Sequence, residues 1–374
     1  MPHIVIDVRH LRDFGIGTYI RNLLKALARL DSANQYTLIA KPAETGDLAD
    51  IGPNFSTAVY DRSETELLHN ITFPHFLRKF RADLYHIPLN SIAWMMPQPY
   101  VVTIHDMSSL LFPAKGQDFR HTWREEKYRR GAARARRVIT VSQSTRRDII
   151  NVLHVPGDRI RTIYNAPDPI FSEAHDASLE NQTLERYSIH YPFILYAGTI
   201  RAQKNIPRLI EAFAVVRAEL ENHPAYRHLH LVIIGDELSK NPSVRRAVGK
   251  ARMESVVRFL GFVPADTLRV FYRAASLFAF PSLYEGFGLA PLEAMTCGTP
   301  VVASDIPALV EAVGDAAELV SPDNVFDIAR GLREVLLDDN KRRGLAAAGR
   351  ERASRFHWDQ TAREVLDIYT EIQK

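Results

Sequence analysis

One cysteine, Cys297, occurs in 374 residues. That excludes an intrachain disulfide and most zinc sites, fits a reducing compartment, and makes the thiol a small packing group before it is a nucleophile. No run approaches the roughly 18 apolar residues that a membrane-crossing helix requires, and the opening MPHIVIDVRH lacks the basic start and apolar segment of a secretory leader. A cytoplasmic protein that is not integral to a membrane is expected. Charge of one sign is also missing. The 47 Lys and Arg against 44 Asp and Glu leave +3, which argues against a dedicated nucleic-acid binder. The first glycine-bearing turn, GIGTYI, has Ile20 where a dinucleotide fingerprint needs its third glycine, and Tyr36 to Ala40 is followed by Lys41 instead of an acid. A nicotinamide cofactor is therefore not expected. There is no solenoid-period repeat and no low-complexity tract. The polar stretch Glu173 to Thr183 reads as the best linker.

The length suggests about two domains, and 46% apolar residues with 24% charged suit globular cores. The chain is organised around residues 276–302, SLFAFPSLYEGFGLAPLEAMTCGTPVV. Ser276 to Phe280 predicts a buried strand, Pro281, Gly286 and Gly288 a turn, Pro291 a first helical turn, and Gly298 its left-handed end, before Thr299 to Ala303 returns to the sheet. Such a unit aims the free amides of Gly288, Leu289 and Ala290 out of the carboxyl end of a parallel sheet, where a diphosphate could be held. Glu285 and Glu293 frame those amides. Carboxylates beside an anion site are better placed to accept hydrogen bonds from hydroxyls than to touch phosphate, which is the shape of a sugar nucleotide. An isolated pair of this spacing is ordinarily a solvated loop acid and an exposed helix residue; the surrounding residues decide otherwise.

The segment YEGFGLAPLEAMTCGTPVVAS resembles the signature of retaining glycosyltransferase family 4, the group 1 glycosyltransferases. The resemblance implies an α/β protein of the GT-B kind, two Rossmann-like doubly wound domains facing across a cleft, that moves a sugar from a nucleotide diphosphate. It implies an acceptor-side domain over residues 1–170, a donor domain over 171–356, and a C-terminal helix, 357–374, that packs back on the first domain as a hinge. It places Glu285 on the donor sugar and Glu293 on the ribose, with Gly286, Phe287, Gly288, Leu289 and Ala290 around the donor.

Weaker matches run along the chain. Ile4 to Val8 and Thr18 to Leu30 read as strand and helix, and by resemblance Gly15 and Gly17 between them lie on the acceptor side. Asp83 to Ile87 and Tyr100 to Ile104 read as strands ending near His86 and His105, facing the crevice where α/β enzymes bind ligands. VVTIHD resembles the segment whose histidine lies beside the reactive sugar carbon, which makes His105 a catalytic candidate. His86 becomes an acceptor-side one, and Asp106 could orient the ring or cap the following turn. A lone histidine is more often structural. In the second half, Phe193 to Tyr196 is a strand followed by AGTIRAQKNIPRLIEAF, where Lys204 would meet a phosphate as a point charge. By resemblance Lys204 binds the donor diphosphate. Thr199 stands where the family often has arginine, a charge that Arg201 could replace. His230 to Ile234 ends at Gly235 and Asp236 in a crevice turn. Val257 to Val263, with Phe262, matches the segment that passes the nucleobase.

Arg120 to Arg147 holds ten Lys or Arg against Glu125 and Glu126, with Trp123, Tyr128, Ala132 and Ala135 at roughly helical spacing. Such a helix is usually a solvated face. FPHFLRKFR (Phe73 to Arg81) adds aromatics among cations, so peripheral contact with an anionic membrane on its cytoplasmic side is a second expectation.

No Asp-x-Asp pair occurs, so no metal or other cofactor is expected and protein groups should neutralise the diphosphate. The expected partners are a nucleotide-sugar donor, with GDP-mannose suggested by the GTI…KN variant, and a glycan or lipid-linked acceptor of polysaccharide assembly. Nothing in the residues names the oligomeric state. Two other classes stay open: another two-domain sugar-nucleotide enzyme such as an epimerase, which would need no acceptor, and a non-catalytic binding protein, which would not turn over.

Overall fold

A computed structural model describes residues 1–373 apart from 63–67, 89–91, 113–117, 175 and 236–240; the side chains of 118–124 are also outside the description. Asp236 of the expected crevice turn, and the side chains of Arg120, Trp123 and Arg124, therefore lie outside the described residues. Two compact units form, Met1–Asn165 with His357–Lys374, and Ala166–Phe356.

The first unit carries strands β1 (His3–Asp7), β2 (Gln35–Ala40), β3 (Phe55–Val59), β4 (Leu84–Ile87), β5 (Tyr100–Ile104), β6 (Arg137–Thr140) and β7 (Ile160–Thr162). They make one sheet in the order β3-β2-β1-β4-β5-β6-β7, parallel throughout. Its helices are α1 (Ile16–Leu30), α2 (His69–Arg78), α3 (Ser108–Leu111), α4 (Asp118–Arg134) and α5 (Gln143–Leu153). In the second unit, α6 (Ala177–Arg186) precedes strands β8 (Phe193–Gly198), β9 (His230–Gly235), β10 (Val257–Gly261), β11 (Leu277–Phe280), β12 (Val301–Ser304) and β13 (Glu318–Val320). These strands are ordered β10-β9-β8-β11-β12-β13, again parallel. The remaining helices are α7 (Ile206–Glu219), α8 (Pro242–Ala251), α9 (Ala265–Ala274), α10 (Leu289–Thr296), α11 (Pro307–Val313), α12 (Val325–Leu337), α13 (Asp339–Ala353) and, in the first unit, α14 (Trp358–Gln373).

Both strand orders reverse beside the first strand of their unit, the doubly wound pattern that places a ligand crevice outside the carboxyl ends of the strands. The sequence reason is visible in the strands themselves. Val101, Val102 and Ile104, or Phe193 to Tyr196, are buried without alternation, as expected where helices cover both faces of a parallel sheet. Helix α14 packs on α1 and β4 within the first unit.

Two sequence expectations are corrected here. Glu173 to Thr183 is not simply a linker, because Asp176 accepts the amides of Ser178 and Leu179 and caps α6. The units divide after Asn165, and the turn Pro169–Ser172 lies in the second one. Arg161 and Thr162 form the end of β7 on β6. Finally, the basic stretch 120–147 spans three elements: α4 ends at Arg134, Arg137 opens β6, and Arg146 and Arg147 ride on α5.

Candidate functional site

In the second unit, β8 ends in a tight turn whose short helical turn Ala202–Lys204 carries Lys204 to the threshold of α7. Asn205 joins the two in a left-handed conformation, φ 61°, which asparagine tolerates better than most residues. It is buried, and its Nδ2 donates to the carbonyls of Pro281 at 2.9 Å and Pro322 at 2.7 Å. The amide of Leu283 returns a bond to the Gln203 carbonyl at 2.7 Å. The Lys204 turn is thereby stitched to the chain leaving β11.

That stitching brings Lys204 and Glu285 together. Nζ lies 2.6 Å from Oε1 and 2.8 Å from Oε2, with the side chains 17% and 11% exposed, and 5.2 Å from the centre of the Phe280 ring. An ammonium held on both carboxylate oxygens uses two of its three hydrogens there. The sequence reading gave Lys204 and Glu285 separate partners; the structure makes them one paired group.

Helix α10 starts directly beyond. Gly288 precedes it with φ 134°, and a Cβ there would lie 2.9 Å from a Leu309 methyl and 3.2 Å from Ala312, so only glycine lets α11 close against this turn. No side chain caps the α10 N-terminus, which leaves the first-turn amides for a ligand or water. Gly286 and Phe287 are buried, Phe287 against Phe356 at 5.6 Å, while Leu289 and Ala290 are half-buried. Glu293 sits on the second turn, half-buried, and accepts from the Tyr272 hydroxyl at 3.3 Å. Burial and the neighbouring Glu293 carboxylate push the Tyr272 hydroxyl well above its usual range. Gly298 does end the helix region left-handed, with φ 80°. Burial likewise pushes the Cys297 thiol up to about 12, so it is protonated and unreactive at neutral pH.

The other donor candidates lie in the same unit. Thr199 accepts from the Tyr196 hydroxyl at 3.0 Å through its carbonyl. Arg201 is exposed at the start of the Lys204 turn. Gly235 ends β9 so close to β8 that a Cβ would stand 2.0 Å from the Gly198 carbonyl oxygen, so its glycine is explained by strand packing. Phe262 follows β10 with 69% of its surface exposed.

In the first unit, His105 follows β5, 9% exposed, with its ring edge-on to Tyr19 at 4.8 Å. Its Nε2 donates to the Pro88 carbonyl at 3.1 Å. Burial lowers its pKa to about 4, so the ring is neutral at pH 7. Asp106 accepts the Ser108 amide at 2.8 Å and hydroxyl at 2.7 Å and so holds the turn that opens α3, the second of the two roles open to it. Gly15 precedes α1 with φ 62°, and Gly17 packs where a Cβ would meet the Leu11 carbonyl at 2.3 Å.

His86 is corrected. It is fully buried, with Nδ1 2.5 Å from the Tyr369 hydroxyl and Nε2 2.8 Å from Thr103 Oγ1. Burial, with a smaller contribution from His105, lowers its pKa to about 3. A neutral ring with both nitrogens occupied is a tie between α14 and the sheet, not an acceptor contact. Sequence reasoning also passed over Arg9, 1% exposed, which donates to Asp7 Oδ1 at 2.8 Å and Oδ2 at 2.6 Å and lies 3.9 Å from the Phe73 ring centre. Nothing in its local sequence marks a buried arginine. Asn205 was legible in principle, as an asparagine just before a helix-opening Ile-Pro.

Among the described residues, no group of three or more His, Cys, Asp or Glu is placed to hold a metal ion, and no helix is long and apolar enough to cross a membrane.

Comparison with known proteins adds the family. The family description "Glycosyltransferase Family 4" matches residues 15–170, and "Glycosyl transferases group 1" matches residues 187–352. The chain is 31% identical over 304 residues to O-antigen chain mannosyltransferase B of Escherichia coli, covering 81% of this chain and 78% of that protein. It is 32% identical over 241 residues to the serotype-specific mannosyltransferase WbdA of Escherichia coli, covering 64% of this chain and 29% of that longer protein. Among solved structures, Anabaena HepE in complex with UDP and glucose superposes with a TM-score of 0.79 at 19% identity, over 99% of this chain and 100% of that one. WaaG, a glycosyltransferase involved in lipopolysaccharide biosynthesis, superposes with a TM-score of 0.76 at 16% identity, over 98% and 99%.

Proposed function

Because the chain belongs to the group 1 glycosyltransferases of family 4 and has their GT-B fold, we propose that it is a retaining mannosyltransferase. Its donor would be GDP-mannose and its acceptor a glycan or lipid-linked glycan in polysaccharide assembly. The observation that carries the reading is the Lys204–Glu285 pair beside the uncapped start of α10, with Glu293 one turn on. The mannosyltransferase relatives support the sugar; the base rests on the sequence variant alone.

The chemistry follows from the charges. Breaking the bond between the anomeric carbon and a diphosphate oxygen sends the electron pair to the leaving group, so the site must hold growing negative charge. The third hydrogen of Lys204 and the amides of Gly288, Leu289 and Ala290 supply donors, and Arg201 adds a cation at the rim. Glu285, neutralised in place by Lys204, accepts from a sugar hydroxyl without repelling the diphosphate, and Glu293 accepts from the ribose. The acceptor hydroxyl forms the new bond from the face the diphosphate leaves, and its proton passes to the departing phosphate oxygen, which retains the anomeric configuration. These protein cations make the transfer independent of divalent metal. His105 takes part as a neutral hydrogen-bonding ring, since burial removes it from service as an acid near pH 7.

The test is a panel of nucleotide sugars with EDTA present, read by thermal shift and by product stereochemistry. GDP-mannose should raise the melting temperature of wild type by mass action and fail to do so for Glu293→Ala. Stabilisation by a different base or sugar overturns the donor, an inverted product overturns the mechanism, and turnover only with added metal overturns the account of charge.

A further inference from the structure

Packing alone would call for a phenylalanine at position 272, in the last turn of α9. Tyr272 is 0% exposed. Its ring meets Phe171 at 5.5 Å and Phe278 at 5.2 Å, both nearly edge-on, and its carbonyl accepts from Thr299 Oγ1 at 2.5 Å. Ring and main chain are thus both fixed. A hydroxyl taken out of water costs free energy unless it is bonded, and here it donates to Oε2 of Glu293, 21 residues on in α10, at 3.3 Å.

Glu293 is the adaptable partner of this pair. It is half-buried, on a long side chain that loses rotamer freedom when a ligand immobilises it. A rigid donor that already holds one carboxylate oxygen removes part of that cost before the ligand binds. The same side of the helix is held one turn later, where Cys297 Sγ donates to the Phe171 carbonyl at 3.6 Å. Phe171 and Tyr272 together therefore fix both the roll of α10 and the setting of its acid. At 3.3 Å the bond to Glu293 is long for a hydroxyl and a carboxylate, so it orients the acid more than it stabilises the fold. Burial and the Glu293 charge keep the hydroxyl protonated well above neutral pH, so the donor persists through neutrality.

We propose that Tyr272 is a positioning residue for donor recognition, its hydroxyl fixing the Glu293 carboxylate in the orientation that meets a ribose hydroxyl of a nucleoside diphosphate. Glu293 as the ribose acceptor is the reading on which this rests; Tyr272 adds the group that makes the acceptor selective for ribose over deoxyribose. A carboxylate able to swing would find water when a ribose hydroxyl is missing and so would penalise its loss weakly. A fixed one is left with an oxygen poorly paired, which penalises the loss strongly.

Calorimetric titration of the full chain with GDP and with UDP, each as the ribonucleotide and in its 2′-deoxy and 3′-deoxy forms, tests it. For the nucleotide that wild type binds, the form lacking the hydroxyl that Glu293 receives should bind about 10- to 100-fold more weakly than the ribonucleotide. Tyr272→Phe should lower that ratio at least about threefold, chiefly by weakening the ribonucleotide. In Glu293→Ala the ratio should already be near one, and adding Tyr272→Phe should leave it there. The ring swap keeps the packing against Phe171 and Phe278, and an unchanged melting transition shows that the variant is folded. A ratio in Tyr272→Phe equal to that of wild type, whether or not both forms bind more weakly, makes the hydroxyl structural only and overturns the proposal while sparing the ribose role of Glu293. Wild type that binds ribo and deoxy forms alike, or neither GDP nor UDP, overturns that ribose role and the proposal with it.

Discussion

Acidification should loosen the first unit through His86 by a calculable amount. Its pKa in the folded protein is about 3, against 6.5 for an unhindered ring. A group with a lowered folded pKa binds more protons when unfolded, so its stabilising effect is complete above about pH 6.5 and is lost as pH falls toward the folded value. Each pH unit below 6.5 costs about 1.4 kcal/mol until the folded ring titrates, or about 2 kcal/mol at pH 5. His105, at about 4 in the folded protein, adds a similar amount, and the two rings oppose each other's protonation. All three tryptophans, Trp94, Trp123 and Trp358, lie in the first unit, and Trp358 is buried 6.0 Å from Tyr19. Their fluorescence during urea unfolding therefore reports that unit. The loss of stability between about pH 8 and pH 5 should be about 2 kcal/mol smaller in His86→Gln than in wild type, whatever the variant costs at pH 8. An identical loss in the two proteins would refute the assignment of His86 as a buried neutral ring.

Other consequences concern the ion pairs and the stitched turn. Arg9→Met leaves the Asp7 carboxylate fully buried without its guanidinium, so urea unfolding of the first unit should lose about 3–5 kcal/mol; adding Asp7→Leu should recover much of that loss. Lys204→Met should lower kcat/KM about 100- to 1000-fold, as removal of a preorganised donor does, with far-ultraviolet circular dichroism unchanged; a loss below tenfold would remove Lys204 from the transition state. Asn205→Ala gives up two buried hydrogen bonds and an asparagine in a left-handed turn, and should cost about 2–4 kcal/mol of stability in the second unit by calorimetry. Asn205→Gly, which keeps the backbone freedom, should cost less; equal costs would show that the turn conformation plays no part.

Much of the architecture was legible because it is written locally. The apolar runs of β4, β5, β8 and β11 and the glycine-bearing turn between β11 and α10 lie within short contiguous segments, and periodicity and turn chemistry act over such distances. The short strands β3, β7 and β13 escaped notice. Phe55–Val59 is mostly exposed and β7 and β13 have three residues each, too little pattern to register. The polar run after Glu173 misled because composition alone cannot tell a linker from an exposed helix whose cap is an ordinary aspartate.

The sequence by itself determined the kind of fold, the two-unit plan and the spacing of Glu285 and Glu293 across one turn and one helix, since each is set by neighbours along the chain. Tertiary structure alone decided what those side chains meet. Lys204 reaches Glu285 across 81 residues, His86 reaches Tyr369 across 283, and Asn205 ties its turn to Pro281 and Pro322. A polar residue carries no local mark of whether it will be solvated, paired or enclosed. Its dielectric surroundings and its partner are fixed only when distant segments pack, and those two quantities decide whether a histidine is a catalyst or a bolt.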